Sequence, residues 1–128
     1  MTPNTHLGID VTLVGAPVAL SEGRATVHLT TTDSMAADAR GLVHGGFVFG
    51  LADYAAMLAV NDPNVVLGAA DTRFLAPVRV GDRVVAEAER VEVKGKKHVV
   101  KVVGRVAERA VFEGTFTTFV LDGHVLDR

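Results

Sequence analysis

The chain has 128 residues, 48% of them hydrophobic and 22% charged, which is typical of one globular domain over residues 1–128. The formal net charge of −2 gives no basic footprint for binding nucleic acid. The absence of cysteine excludes a disulfide framework, a thiol nucleophile and a zinc site with thiolate ligands. The N-terminus shows no signal-peptide pattern, and the longest apolar stretch is too short to span a bilayer, so we expect a cytoplasmic protein.

The hydrophobic pattern predicts two strands followed by one helix. The first strand is predicted over Val11–Leu20, at a sheet edge or with a bulge because Pro17 lies within it. Arg24–Leu29 alternates between apolar and polar residues, as a half-buried strand does. The segment over residues 30–41 has no clear period and is predicted to be a loop that contains at most a short helical turn. Gly45 and Gly46 then open a helix over Phe47–Val60, which is apolar on nearly all sides and therefore predicted to be buried.

Four strand-like runs follow the helix, at Val65–Phe74, Val84–Val93, Lys97–Val106 and Ala110–Leu121. Their spacing and the turns between them predict an antiparallel meander. The economical arrangement is an α+β fold in which a curved antiparallel sheet of five to six strands wraps around one long central helix.

Asp53 is the only charged residue within the predicted helix. A buried carboxylate without a partner is costly, and its pKa rises with desolvation, so such a group is often retained for function. Two other interpretations stay open at this point. Asp53 can occupy a gap in the apolar surface of the helix, or it can bond to a neighbouring subunit.

His44, Gly45 and Gly46 precede the helix and leave its first N–H groups unobstructed. Such donors can stabilise a developing oxyanion, although two glycines can also form nothing more than a tight corner. Eight residues separate Gly45 from Asp53, which is about 12 Å along one helix. One subunit therefore cannot apply both groups to the same carbonyl, and a shared site would need Asp53 to meet Gly45 of another subunit.

The basic turn formed by Lys94, Lys96 and Lys97 is a candidate site for phosphate groups, with Arg73 upstream as a further basic candidate. A solvated turn explains the same residues equally well. The sequence contains no Gly-x-Ser-x-Gly elbow and no glycine pattern of a phosphate loop or dinucleotide site. Its five histidines show no ligand spacing with carboxylates, so no metal is predicted.

The segment from His44 to Asp53, with the sequence HGGFVFGLAD, resembles the signature of the PaaI-like hotdog thioesterases. The later segment over residues 74–82, FLAPVRVGD, resembles the strand–turn–strand that follows the helix in that family. The resemblance covers about Arg40–Leu121, and its first segment is the more specific one.

The resemblance implies hydrolysis of acyl-CoA thioesters in a cleft between subunits of a homodimer that assembles further into a tetramer. Asp53 would be the nucleophile or general base, the N–H groups of Gly45 and Gly46 would polarise the carbonyl, and His44 would shape the loop. Lys94, Lys96, Lys97 and Arg73 would contact coenzyme A, which is part of the substrate, so no separate cofactor is implied. The strand over residues 68–72 would line the cleft.

The chain departs from the family at Met57, one turn after Asp53, where related thioesterases often place a hydroxyl group. Two other functions therefore stay open. One is a non-catalytic domain that binds or senses acyl-CoA. The other is an acyl-thioester hydratase, for which His44 is the only nearby acid–base partner.

Overall fold

The structure is a computed structural model and describes residues 1–127. Two α-helices and six β-strands form the framework, with short 3₁₀ turns at Asp33–Met35 and Val125–Asp127. In chain order these elements are α1 (Val11–Val14), β1 (Ala16–Ser21), β2 (Arg24–Thr30), α2 (Gly45–Val60), β3 (Val65–Phe74), β4 (Arg83–Lys94), β5 (Lys97–Val106) and β6 (Arg109–Val120).

All six strands form one antiparallel sheet in the order β1-β2-β4-β5-β6-β3. Strands β4, β5 and β6 form a meander as predicted. The prediction that β3 continues this meander into β4 is wrong, because β3 pairs with β6 at the far edge. Between β3 and β4 the chain crosses the start of α2, where the N–H of Val43 donates to the carbonyl of Val78 (2.9 Å). The N–H of Thr31 then donates to the carbonyl of Asp82 (2.9 Å), which brings β4 beside β2.

Helix α2 packs against the sheet, mainly on β2, β4 and β5. Ten of its 16 residues are buried, so the predicted buried helix inside a curved sheet is confirmed. The helix begins two residues earlier than predicted, at Gly45 rather than at Phe47. Residues of a first turn do not have to donate to an intrahelical acceptor, so the two glycines can be the first residues of the helix. It ends where Asn61 adopts the left-handed conformation (φ 54°). No helix within residues 1–127 has both the length and the apolar character needed to cross a membrane.

The first half of the strand predicted over Val11–Leu20 is wrong, because Val11–Val14 forms a short helix. Its N-cap is Asp10, whose Oδ1 accepts a hydrogen bond from the N–H of Thr12 (2.9 Å). Gly15 then breaks the helix at φ 103°, where a Cβ would lie 2.8 Å from a backbone oxygen of β2. β1 is an edge strand whose pairing is irregular after Pro17, as predicted.

Candidate functional site

In the first turn of α2, the N–H groups of Gly45 and Gly46 have no hydrogen-bond acceptor within residues 1–127. His44 is the N-cap and makes no side-chain capping bond, and neither Gly45 nor Gly46 donates to a backbone or side-chain acceptor. The preceding loop is held in place because the N–H of His44 donates to the carbonyl of Met35 (2.9 Å). The helix therefore offers fixed donors at its positive end.

Neighbouring rings lie against both glycines of this turn. A Cβ at Gly45 would lie 3.2 Å from Cε1 of Phe74, and one at Gly46 would lie 3.0 Å from Cδ2 and Nε2 of His44. The His44 ring thus lies over Gly46, while its side chain stays exposed to solvent. Larger residues at either position would require these rings to move.

Asp53 lies halfway along α2 and is partly buried. Its Oδ1 is inaccessible to solvent and has no hydrogen-bond partner within residues 1–127. Burial raises the pKa of this carboxyl group to about 6. Met57, one turn further, is only 1% exposed and cannot bond to the carboxylate. The carboxylate is therefore partly desolvated, and its buried oxygen has no compensating contact within residues 1–127, which is uncommon outside functional sites and interfaces.

Gly45 and Asp53 do not meet within one subunit, because α2 is continuous between them and separates them by about 12 Å. Gly45 lines an apolar cavity of about 360 Å³, whereas Asp53 does not. The other lining residues are Val43, Val48, Phe74, Leu75, Ala76, Pro77, Val78 and Val111.

Strand β3 pairs with β6 along one edge, and its other edge is unpaired within residues 1–127. Most of the segment over residues 68–72, predicted to line the cleft, is exposed on this strand. A free edge of ten residues is a template for pairing with another chain. α2 runs antiparallel to β3, since Gly45 lies against Phe74 and the residues after Val60 lead directly into Val65.

The basic candidates do not form one cluster. Lys94 and Lys97 pair across the turn between β4 and β5, and Lys97 lies opposite Phe119, which lies opposite Val66. Arg73 is seven residues further along β3, so it lies about 23 Å towards the other end of the sheet. There it lines a surface groove together with Asp71, Lys101 and Glu113.

Lys96 differs from its neighbours because it is engaged within the chain. Its Nζ forms an ion pair with Asp122 (2.8 Å), and its carbonyl accepts a hydrogen bond from the N–H of Val120. Lys94 and Lys97 form no ion pair within residues 1–127. These two are therefore the more available cations of the turn.

Sequence reasoning missed Phe74 and Arg40, which lie near the same end of α2. Arg40 and Arg79 line a second cavity, of about 290 Å³, which shares Pro77 with the apolar one. The available signal was the apolar run over residues 74–78, which is too hydrophobic for an exposed turn. Within residues 1–127, no group of three or more histidine, aspartate or glutamate side chains is placed to hold a metal ion.

A family model described as thioesterase superfamily matches residues 40–113, which is more than half of the chain. A curated relative, methylthioribose-1-phosphate isomerase of Aquifex aeolicus, is 54% identical over 123 residues, which are 95% of this chain and 27% of that protein. Transcription factor FapR of Caldanaerobacter subterraneus is 31% identical over 97% of this chain and 62% of its own length. The chain thus spans about a quarter of the first relative and about three fifths of the second.

Solved structures agree with this grouping. An uncharacterized protein from Pyrococcus horikoshii is 54% identical, with a TM-score of 0.98 over 99% of this chain and 98% of its own. The phenylacetic acid degradation protein PaaI from Thermus thermophilus, solved as a point mutant, is 29% identical, with a TM-score of 0.78 over 85% of this chain and 95% of its own. A Streptococcus mutans protein bound to acetyl CoA shares the fold at 24% identity, with a TM-score of 0.81 over 94% of this chain and 99% of its own. The chain belongs to the thioesterase superfamily and has the hotdog fold.

Proposed function

We propose that this protein hydrolyses acyl-CoA thioesters to the free acid and coenzyme A at a site shared by two subunits. The observation that carries the proposal is the buried Oδ1 of Asp53, which has no partner within residues 1–127. A second subunit or a substrate would supply the missing contact. Membership of the thioesterase superfamily supports an acyl thioester as the substrate class.

The chemistry requires a carboxylate and a donor to the carbonyl oxygen. As a general base, Asp53 takes a proton from water while the hydroxyl oxygen attacks the thioester carbon. The oxyanion that forms accepts a hydrogen bond from the N–H of Gly45, with Gly46 adjacent. Collapse of this intermediate breaks the carbon–sulfur bond, and the proton held by Asp53 passes to the thiolate of coenzyme A.

The same residues fit nucleophilic attack by Asp53, which would form a mixed anhydride that water then hydrolyses. Single turnover in ¹⁸O-labelled water can identify the nucleophilic route. Water that attacks the anhydride at the Asp53 carbon leaves ¹⁸O in the Asp53 side chain, whereas attack at the acyl carbon places the label in the released acid. Label in Asp53 would therefore establish the nucleophilic route. The general-base route places the label only in the released acid.

A two-fold dimer through the free edge of β3 would bring the required groups from different subunits. Two-fold pairing of this edge reverses the partner's strands and its α2. The Gly45 end of one helix then points towards the middle of the other helix, where Asp53 lies. We propose this homodimer, assembled further into a tetramer, as the functional unit.

The decisive experiment is thiol release by the purified Asp53→Asn variant, measured with short, aromatic and long acyl-CoAs. Asparagine is nearly isosteric but is neither base nor nucleophile, so we expect a loss of about a hundredfold or more in kcat. The variant should keep the wild-type circular dichroism spectrum and oligomeric state. Near-normal turnover by the folded variant would contradict the proposal.

A non-catalytic domain that senses acyl-CoA is the second candidate. The observation that favours it is the 31% identity with transcription factor FapR over nearly the whole chain. Measurements of acyl-CoA binding and of thiol release on the wild-type protein distinguish the two functions. Saturable binding of acyl-CoA with no thiol release supports the sensor, whereas turnover that Asp53→Asn abolishes supports the enzyme.

A further inference from the structure

The apolar cavity beside Gly45 has no place yet in the proposed chemistry. Its volume is about 360 Å³, and it opens where α2 begins. Every residue that lines it is apolar or glycine, and none carries a charge. A wall of this kind favours a hydrocarbon group over a polar one.

Phe74 connects this cavity to the core. Its ring packs edge-on against Phe112, with centroids 5.3 Å apart and planes at 78°, and Phe112 is fully buried. The same ring lies against Gly45, as its 3.2 Å approach to a Cβ built there shows. Even so, 55% of the Phe74 surface is exposed, and Leu75 beside it is 48% exposed. Phe74 is the last residue of β3 and Leu75 follows it, so these two exposed apolar side chains form a surface that a ligand or a partner subunit would cover.

We infer that this cavity receives the acyl group and that Phe74 limits the length of that group. The inference rests on the proposed function in taking the ligand to be a thioester whose carbonyl accepts a hydrogen bond from the N–H of Gly45. Because Gly45 also lines the cavity, the acyl carbons attached to that carbonyl begin beside it.

The cavity volume sets the expected length. A water molecule takes about 30 Å³ in the liquid, and a methylene group is of similar size, so a cavity of about 360 Å³ holds at most about twelve carbons. A chain of sixteen carbons would need roughly 480 Å³ by the same measure and would have to extend beyond the cavity or displace the Phe74 ring at its edge. Short, medium and aryl acyl groups are therefore the substrate class.

The test is a binding series, which separates the cavity from the chemistry. Asp53→Asn protein is titrated in a calorimeter with acyl-CoAs of four to sixteen carbons. Affinity should rise about threefold to fourfold per methylene and then level off by about twelve carbons. Adding Phe74→Ala should move this plateau to chains at least two carbons longer, and adding Phe74→Trp should move it to shorter ones. Val18→Ala is the matched control, since Val18 is 57% exposed and lies on β1, at the opposite edge of the sheet from β3.

Two results would overturn the inference. One is a plateau that neither Phe74 variant moves, or an affinity that does not depend on chain length. The other is Phe74→Ala protein that falls into smaller oligomers with its plateau unchanged, which would assign the exposed ring to subunit packing. Wild-type protein that shows the plateau but releases no thiol would contradict the proposed hydrolysis while supporting the cavity assignment.

Discussion

Asp53 lowers the stability of the subunit in which it lies. Its carboxylate loses hydration on folding, and no hydrogen bond within residues 1–127 compensates Oδ1. Burial alone accounts for the rise of its pKa to about 6. A residue of this kind has two measurable consequences, one for the pH dependence of activity and one for stability.

Activity should fall at acid pH, with a midpoint above that of a free aspartate (about 3.9) and up to about 6. The reason is that the proposed mechanism uses Asp53 in its ionised form, and burial favours the protonated form. The measurement is kcat/KM for one acyl-CoA between pH 4 and 8. Any residual rate of Asp53→Asn protein should lack this inflection. A wild-type rate that stays constant down to pH 4 would mean that Asp53 is well hydrated or is not used.

Asp53→Asn should stabilise the protein at neutral pH. Between about pH 4 and 6 the unfolded chain loses the Asp53 proton while the folded one keeps it, so wild-type stability falls as pH rises through this window. Above pH 6 the folded protein carries the full cost of burying the ionised Asp53 carboxylate. Asp53→Asn removes this charge and should raise the free energy of unfolding by about 1–3 kcal/mol. Urea denaturation at fixed protein concentration, repeated across pH, measures the effect.

The control for this stability measurement is Asp33→Asn, which removes an exposed carboxylate from the loop before α2. It should leave the pH dependence between 4 and 6 unchanged. A wild-type free energy of unfolding that does not fall over that window would show that the carboxylate is compensated in the assembled protein.

At the scale of elements, the turn between β4 and β5 and the start of α2 lie at opposite ends of the subunit. Lys97 is opposite Phe119 and Val66, whereas Gly45 contacts Phe74 at the other end of β3. Phosphate contacts from this turn to a thioester at Gly45 would therefore have to come from the reversed partner subunit. Lys94 and Lys97, which form no ion pair within residues 1–127, are the lysines available for this role.

Replacing Lys94 and Lys97 with alanine should raise KM for acyl-CoA by about threefold to thirtyfold, since charge-assisted contacts to phosphate are lost. The same change should have little effect on a short acyl thioester that lacks the nucleotide. Lys96→Ala should have the smaller effect on acyl-CoA, because its ammonium group is paired with Asp122. Arg83→Ala, at the far end of β4, controls for the loss of one positive charge. Equal losses on both substrates would indicate general destabilisation instead.

At the scale of the whole molecule, dimerisation along β3 would cover the free edge of that strand and complete the proposed site. Pairing of two copies along β3 would cover the unpaired backbone groups of that edge. It would also place a second helix N-terminus near Asp53. Subunit mixing can therefore test two predictions together, namely that the protein dimerises and that its active site is shared by two subunits.

Asp53→Ala protein keeps the Gly45 donor, and Gly45→Pro protein keeps the carboxylate but loses the N–H. Each variant alone should be nearly inactive. After random exchange of equal amounts, about half of the dimers are mixed, and one of the two sites in each mixed dimer is intact. Activity should therefore return to about a quarter of the wild-type value.

Gly45 is the first residue of α2, a position where proline is compatible with a helix, although the Phe74 ring, 3.2 Å from a Cβ at this position, would have to shift. Circular dichroism checks its fold, and native mass spectrometry checks that mixed dimers form. A mixture that contains mixed dimers and stays inactive would show that the two groups do not share a site.

The sequence alone determined the helix, five of the six strands almost to the residue, and the candidate groups Asp53 and Gly45. These features follow from local patterns, because burial on one face, on both faces or on all sides of an element fixes the spacing of its apolar residues. The unbroken apolar run around Asp53 is such a pattern, and so are the two glycines before it. The exception is Val11–Val14, where a side-chain cap from Asp10 outweighed an apolar run that predicted a strand.

The tertiary structure alone decided which elements lie side by side. β4 lies beside β2, and backbone bonds such as that from Thr31 to Asp82 join these segments, which are about fifty residues apart. β3 pairs with β6 at the far edge instead of continuing into β4. The register of β6 with β3 and β5 separates Arg73 from Lys97, and the Phe74 ring at the end of β3 lies against Gly45. No local period encodes such contacts, since they depend on how the chain crosses the end of α2.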